Sequence, residues 1–79
     1  MNVEIYSKNN CGFCDKAKIK LQKYNPRVHM LDQDYTREEF FTKFPHAKTF
    51  PQITINNKHI GGYHELAKWF AFNFPDEDF

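Results

Sequence analysis

Cysteine, glycine and long apolar runs are scarce in this sequence, and neither sign of charge is in surplus. No apolar run approaches the ~20 residues that span a bilayer, and the first five residues lack the basic start and apolar stretch of a secretory signal. Eleven Lys and Arg nearly balance ten Asp and Glu, which leaves a net charge of +1. The electrostatic field of this net charge is too weak to indicate nucleic acid or a membrane surface as a partner. We therefore expect a cytoplasmic protein that binds neither.

The composition is that of a small folded domain. The chain is about half as long as the ~150 residues typical of one domain. Apolar residues make up 41% of it and aromatic residues 18%, with nine Phe, whereas disordered chains are poor in aromatic residues. We expect a single domain over residues 1–79, in which the acidic end, residues 75–79, frays.

The two cysteines, Cys11 and Cys14, point to chemistry or metal binding. A secreted scaffold of this size normally has four or more cysteines, and a bridge across two residues hardly constrains the unfolded chain. Zinc usually needs four ligands, and no second Cys-x-x-Cys exists. A redox dithiol is favoured over zinc and over an inert cysteine pair, and we expect no metal site. The histidines, which show no ligand spacing, are His29, His46, His59 and His64.

Apolar spacing divides the first half of the chain into strand, helix and strand. Apolar and polar residues alternate up to Ser7, which predicts a strand over 2–7. From about residue 12 apolar residues recur at helical intervals, and Asn25-Pro26 stops the predicted helix. The apolar segment 28–31 predicts a second strand. The apolar positions of the helix are Cys14, Ala17, Leu21 and Tyr24.

The second half predicts a helix, a hairpin and another helix. Thr36 and Glu39 fit a capping box at the start of a short helix. Segments 52–55 and 58–60 flank two asparagines that tolerate the positive φ of a two-residue turn, which predicts a hairpin. A glycine pair then precedes the last helix. The short helix contains Phe40, Phe41 and Phe44, and one face of the last helix contains Leu66, Trp69, Phe70 and Asn73.

This order of elements predicts an α/β fold with one four-stranded mixed β-sheet flanked by three helices. A strand–helix–strand crossover favours parallel neighbours, so the first two strands should be parallel. The hairpin strands should be antiparallel.

The segment Cys11-Gly12-Phe13-Cys14 lies between the first strand and the first helix. A redox dithiol needs one sulfur that attacks and one that resolves the mixed disulfide. Cys11 falls at the helix N-terminus, where free amides and the macrodipole stabilise an anion, and Lys8 adds positive charge. An ordinary cysteine pKa of ~8.5 leaves about 3% thiolate at pH 7, whereas a pKa of ~7 gives about half. Cys14 faces inward, which suits the resolving thiol.

Four separated segments, 8–14, 36–39, 49–53 and 61–66, give the chain its resemblance to a known family. They read Lys-Asn-Asn-Cys-Gly-Phe-Cys, Thr-Arg-Glu-Glu, Thr-Phe-Pro-Gln-Ile and Gly-Gly-Tyr-His-Glu-Leu. With these residues placed, the chain resembles a glutaredoxin from residue 3 to about 72, and its short form is similar to small phage-type dithiol glutaredoxins. The resemblance implies a thioredoxin-like fold.

The resemblance also implies a glutathione site. Lys8 and Arg37 match positions that bind the glycine carboxylate of glutathione, and Glu65 matches one that holds its ammonium. Pro51 matches a cis-proline that exposes the backbone of the preceding residue to an extended peptide. Without the resemblance, each of these charged residues would be interpreted as an ordinary solvated side chain. Residues 50–51 would likewise be interpreted as a turn that begins a strand. The full implied set is Lys8, Phe13, Arg37, Thr49, Phe50, Pro51, Gly62, Tyr63, His64 and Glu65.

Four residues depart from the family pattern. Gly12 and Phe13 replace the usual Pro-Tyr, which resembles the Cys-Gly-Phe-Ser of monothiol glutaredoxins with the second thiol restored. Tyr63 stands where Cys or Ser is common, and His64 where an acidic or small hydroxyl residue is common. These changes bear on the contacts to the γ-glutamyl group.

The implied function is a glutathione-dependent thiol–disulfide oxidoreductase with Cys11 and Cys14 as catalytic residues and glutathione as co-substrate. Its implied partners are glutathione and disulfide or glutathionylated proteins, with ribonucleotide reductase as one expectation, and it should be a monomer. The alternative is a dimer that binds a [2Fe–2S] cluster through Cys11 and external glutathione and has little oxidoreductase activity. A third hypothesis keeps the enzyme but uses thioredoxin reductase as electron donor. The implied glutathione residues argue against it.

Overall fold

The computed structural model describes residues 1–76, which form four strands and three helices in the predicted order. The predicted acidic end lies largely outside the described residues. None of the helices in the described part is both long and apolar enough to cross a bilayer. The elements are β1 (Val3–Ser7), α1 (Gly12–Lys20), β2 (Arg27–Met30), α2 (Arg37–Lys43), β3 (Gln52–Ile55), β4 (Lys58–Gly61) and α3 (Tyr63–Asn73).

The strands form one mixed sheet in the order β2-β1-β3-β4. The first two strands are parallel, with Ile5 beside Val28, and the β3–β4 hairpin is antiparallel, as predicted. Antiparallel pairing of β1 with β3 places Ile53 beside Ile5 at the centre of the sheet. The hairpin turn has φ of 52° at Asn56 and 66° at Asn57, which confirms the predicted asparagine turn.

Apolar clusters lie on both faces of the sheet because successive strand side chains point to opposite faces. Helices α1 and α3 pack on one face, and α2 packs on the other through Phe40 and Phe44. Phe41 of the same helix is 46% exposed. The first cluster contains Val3, Ile5, Ala17, Leu21, Ile53, Ile55, Leu66 and Phe70, and the second contains Leu31, Tyr35, Phe40 and Phe44.

The first helix ends earlier than its apolar spacing predicts. Helix α1 stops at Lys20, and Gln22–Tyr24 forms a separate 3₁₀ turn. The amide of Tyr24 donates to the carbonyl of Leu21 at 2.9 Å, an i to i+3 bond that tightens the last turn. Tyr24 still packs against the core, so the apolar spacing identified its burial but not its helix type.

Two smaller differences concern β2 and α3. Strand β2 begins at Arg27, one residue before the predicted segment, and Leu31 forms only an isolated bridge with Tyr35. On α3 the predicted apolar face included Asn73, which is exposed. The amide group of Asn73 donates to the carbonyl of Trp69 at 2.8 Å. Asn73 therefore hydrogen-bonds to its own helix and does not pack in the core.

A buried tyrosine joins β1 to the loop before α2. Tyr35 is 8% exposed, and its hydroxyl donates to the carbonyl of Ser7 at 2.6 Å. Burial raises the pKa of Tyr35 to about 12; the charge of Arg37 opposes the shift, and nearby acids add to it. The neutral phenol is therefore the form that the fold favours.

We predict that the protein loses stability as the pH rises above the ordinary tyrosine pKa of 10. Since the folded-state pKa of Tyr35 is raised to about 12, its contribution is complete below pH 10 and is lost as the pH rises through the folded value. Tyr35→Phe should cost about 1 kcal/mol at neutral pH and lose less stability on going to high pH. Urea unfolding between pH 8 and 11 measures both effects. An equally steep alkaline loss in the variant would contradict this explanation.

Candidate redox site

Cys11 occupies the N-cap position of α1, directly after the loop that follows β1. Its backbone is extended, with φ of −125°, and its Sγ accepts a hydrogen bond from the amide of Cys14 at 3.2 Å. The two cysteines form a disulfide with Cα atoms 5.2 Å apart, a normal separation for a disulfide. An amide that donates to Sγ in this position favours negative charge on the sulfur once the disulfide is reduced.

The two cysteines differ in their access to solvent. Cys11 is 9% exposed, whereas Cys14 is fully buried, as are Ala17 and Leu21 on the same helical face. The predicted inward orientation of Cys14 is therefore confirmed. Of the two cysteines, only Cys11 has any surface exposed to solvent.

The loop before β3 brings a backbone carbonyl to the reactive sulfur. The Phe50–Pro51 bond is cis, as the resemblance implies, and the carbonyl oxygen of Phe50 lies 3.8 Å from Sγ of Cys11. The Phe50 ring stacks on Phe40 of α2 with a centroid distance of 4.5 Å. The side-chain amide of Gln52 donates to the carbonyl of Thr49 at 2.8 Å. These contacts fix the loop beside Cys11.

The N-terminus of α3 approaches this loop closely. A Cβ atom on Gly62 would lie 3.3 Å from Oγ1 of Thr49 and 3.4 Å from the carbonyl of Pro51. Gly61 has φ of +122°, and a Cβ there would lie 2.9 Å from the Glu65 side chain, so both positions favour glycine. Oε1 of Glu65 accepts from the amide of Gly62 at 2.9 Å. The start of α3 thus packs against the loop whose Phe50 carbonyl lies near Cys11.

Aromatic rings and lysines lie on both sides of the disulfide. Phe13 is 44% exposed, and its ring centroid lies 5.6 Å from that of Tyr63 and 5.3 Å from that of His64. Nζ of Lys16 lies 5.1 Å from the Phe13 centroid. On the other side, Nζ of Lys8 lies 5.2 Å from the Phe50 centroid. Cation–π attraction accounts for both lysine positions.

The structure joins most residues of the implied glutathione set into two groups. The first group lies along the cis-proline loop and the start of α3 and contains Thr49, Phe50, Pro51, Gly62 and Glu65, with Lys8 placed over the Phe50 ring. The second group consists of the rings of Phe13, Tyr63 and His64. Arg37 is the exposed first residue of α2. No hydrogen bond, ion pair or ring contact within residues 1–76 links Arg37 to either group.

Three residues of the site region have roles that the sequence interpretation did not assign. Gln52 holds the cis-proline loop, Tyr35 ties the end of β1 to the loop before α2, and Lys16 covers Phe13. Gln52 and Tyr35 donate hydrogen bonds to backbone carbonyls, and no spacing pattern in the sequence predicts these bonds. Lys16 lies three residues after Phe13 on a helix, a spacing that brings side chains together. The sequence alone could therefore have predicted this contact.

A mixed sheet with helices on both faces and a Cys-x-x-Cys at a helix N-terminus opposite a cis-proline define the thioredoxin-like fold with a thiol–disulfide site. The glutaredoxin family model matches residues 3–60. Glutaredoxin 3 of Escherichia coli strain K12 is 37% identical over 67 residues, which cover 82% of this chain and 81% of that protein. The chain belongs to the glutaredoxin family, a family of thiol–disulfide oxidoreductases.

Two further comparisons cover nearly the whole chain. Glutaredoxin 1 of Escherichia coli strain K12 is 30% identical over 82 residues, 92% of this chain and 96% of that protein. The structure of reduced Escherichia coli glutaredoxin superposes with a TM-score of 0.76 at 27% identity, over 95% of this chain and 99% of that one. The predicted fold class and the family resemblance are therefore confirmed.

Residues 1–76 contain no group of three or more His, Cys, Asp or Glu side chains placed to hold a metal ion. A [2Fe–2S] cluster shared by two copies needs only Cys11 from each copy together with external thiols. The cluster-binding dimer therefore stays a prediction that this finding does not test.

Gly12 and Gly61 provide a matched pair of alanine substitutions. Nothing lies within 4 Å of a Cβ at Gly12, whereas Gly61 combines positive φ with contacts at 2.9 Å. Gly12→Ala should therefore be neutral or stabilise the protein by up to about 1 kcal/mol. Gly61→Ala should destabilise it by about 1–3 kcal/mol.

Urea unfolding of both variants measures the difference between the two positions. Equal effects at Gly12 and Gly61 would show that the backbone at the start of α3 is not constrained in this way.

Proposed function

We propose that this protein reduces protein disulfides and glutathione mixed disulfides with electrons from glutathione. The observation that carries the proposal is the unequal exposure of two cysteines at the N-terminus of α1, with the accessible Cys11 beside the cis-proline loop. Cys11 is the proposed nucleophile, and Cys14 is the proposed resolving thiol. Both roles follow from which sulfur a substrate can reach.

In the first step the Cys11 thiolate attacks one sulfur of the substrate disulfide. A bond forms between that sulfur and Cys11, the substrate S–S bond breaks, and the departing thiolate takes a proton from solvent. The amide of Cys14, which donates to Sγ of Cys11 at 3.2 Å, supports the charged form of the attacking sulfur. The carbonyl oxygen of Phe50 lies 3.8 Å from the same sulfur.

Two routes complete the reaction. With a protein disulfide, Cys14 attacks the mixed disulfide at Cys11, releases the reduced protein and forms the Cys11–Cys14 disulfide, which two glutathiones reduce to the dithiol with release of glutathione disulfide. With a glutathionylated protein, attack on the glutathione sulfur leaves glutathione on Cys11, and a second glutathione removes it as glutathione disulfide. The second route does not need Cys14.

The proposed glutathione groove runs along the cis-proline loop. The backbone of Phe50, next to the cis-proline, suits an extended tripeptide that adds like a strand. Lys8 and Arg37 supply positive charge for the glycine carboxylate. At the other end, Gly62 offers no capping side chain to α3, so the first amides of this 11-residue helix suit the γ-glutamyl carboxylate. We assign the ammonium to Glu65.

Phe13, Thr49, Pro51, Tyr63 and His64 complete the proposed groove. Thr49 and Pro51 shape the loop, and the exposed ring of Phe13 contacts both Tyr63 and His64. We expect a monomer that acts in the cytoplasm, with ribonucleotide reductase among its protein substrates.

We predict that Cys11→Ser abolishes turnover of a glutathione mixed disulfide, while Cys14→Ser keeps a substantial part of it. The reason is that the second route uses only the accessible sulfur. Cys14→Ser should, in contrast, lose most of the reduction of a protein disulfide such as insulin. An NADPH-coupled assay with glutathione and glutathione reductase measures both reactions.

Two controls separate this proposal from its alternatives. Replacing glutathione and its reductase by thioredoxin reductase should give no turnover, and equal loss in both cysteine variants would contradict the assigned roles. Anaerobically purified protein should be colourless. A visible band that scales with added glutathione, together with negligible turnover, would favour the cluster-binding dimer.

A further inference from the structure

Lys16 lies beside the redox site but outside the proposed glutathione groove. It belongs to the second turn of α1, five residues after Cys11, and its Nζ lies 5.1 Å from the centroid of the Phe13 ring. Tyr63 and His64 contact the same ring from α3. Lys16 and the start of α3, where the γ-glutamyl group is proposed to bind, therefore both contact the Phe13 ring.

The positive charge of Lys16 is not neutralised within the described chain. No salt bridge within residues 1–76 involves Lys16, whereas the neighbouring Asp15 carboxylate lies 3.7 Å from Nζ of Lys18. The carboxylate of Glu65 accepts from the amide of Gly62. The cation next to the exposed Phe13 ring thus has no acidic partner within residues 1–76, whereas Asp15 and Glu65 each have a partner there.

A protein substrate must place residues on this surface. In a glutathionylated protein the glutathione half enters the proposed groove, so the polypeptide half, which leaves as the thiol, must extend away from that groove. Phe13 forms the edge of the proposed groove, and Lys16, which lies against that ring, has no salt bridge within residues 1–76. Electrostatic complementarity across such a contact mainly raises the association rate and the specificity.

We propose that Lys16, held over Phe13, is a docking point for acidic side chains next to the reactive cysteine of a protein substrate. The proposal rests on the proposed function and adds a substrate preference to it. It predicts that acidic flanking residues accelerate reduction of a polypeptide mixed disulfide without any change in the use of glutathione itself.

The test uses three synthetic nonapeptides, each with one glutathionylated cysteine flanked on both sides by two Asp, two Asn or two Lys residues. A small mixed disulfide of glutathione and 2-mercaptoethanol reports on the groove alone. The proteins are the wild type, Lys16→Gln, Lys16→Glu and the control Lys58→Gln, which removes the same charge at the start of β4. Lysine and glutamine have similar helix propensities, so α1 should stay folded.

The wild type should reduce the Asp peptide faster than the Asn peptide. Lys16→Gln should lower kcat/KM for the Asp peptide by about threefold at low salt and less at high salt, with little change for the Asn peptide or the small disulfide. Lys16→Glu should reverse the preference toward the Lys peptide. Lys58→Gln should resemble the wild type.

Several outcomes would overturn the proposal. An equal fall for all substrates in Lys16→Gln would mean that the lysine acts on the sulfur rather than on the substrate. An equal effect of Lys58→Gln would mean that net charge alone matters, and a preference for the Asn peptide would mean that only the ring docks. If the wild type failed to turn over the small disulfide, the proposed function itself would fail.

Discussion

The site depends on the contact between the start of α1 and the cis-proline loop. The Cys11 sulfur accepts a hydrogen bond from the amide of Cys14 and lies 3.8 Å from the carbonyl oxygen of Phe50. The loop keeps its place because Phe50 stacks on Phe40. The core between the sheet and α2 therefore positions the backbone that faces the reactive sulfur, and packing on one side of the sheet is linked to chemistry at its edge.

The aromatic residues serve both packing and recognition. Phe40 and Phe44 are buried against the sheet, whereas Phe13 is exposed next to the disulfide and Phe50 connects the two environments. Each ring beside the sulfur is covered by a lysine, Lys8 or Lys16. A nearly neutral chain can thus present local positive charge where an anionic peptide is proposed to bind.

Local signals predicted most of the fold and part of the site. The capping box is present, with the Glu39 amide donating to Oγ1 of Thr36 at 3.1 Å and the Thr36 amide donating to Oε1 of Glu39 at 2.9 Å. The burial of Cys14 also followed from spacing along one helix. These features involve residues within a few positions of each other, where periodicity and propensity carry the information.

Features that depend on distant residues were not predictable in the same way. The bond from Tyr35 to Ser7 spans 28 positions, and the stacking of Phe50 on Phe40 depends on how α2 crosses the sheet. Neighbouring residues do not encode such contacts, so the groove around Cys11 could be inferred only by resemblance.

Ultraviolet absorbance of the reduced protein near 240 nm, where thiolates absorb, tests the central claim most directly. We expect the wild type and Cys14→Ser to show a thiolate band at neutral pH that disappears on acidification, and Cys11→Ser to lack it. A wild-type protein without this band at neutral pH, or a band that persists in Cys11→Ser, would contradict the assignment of Cys11 as the sulfur whose charge the start of α1 stabilises.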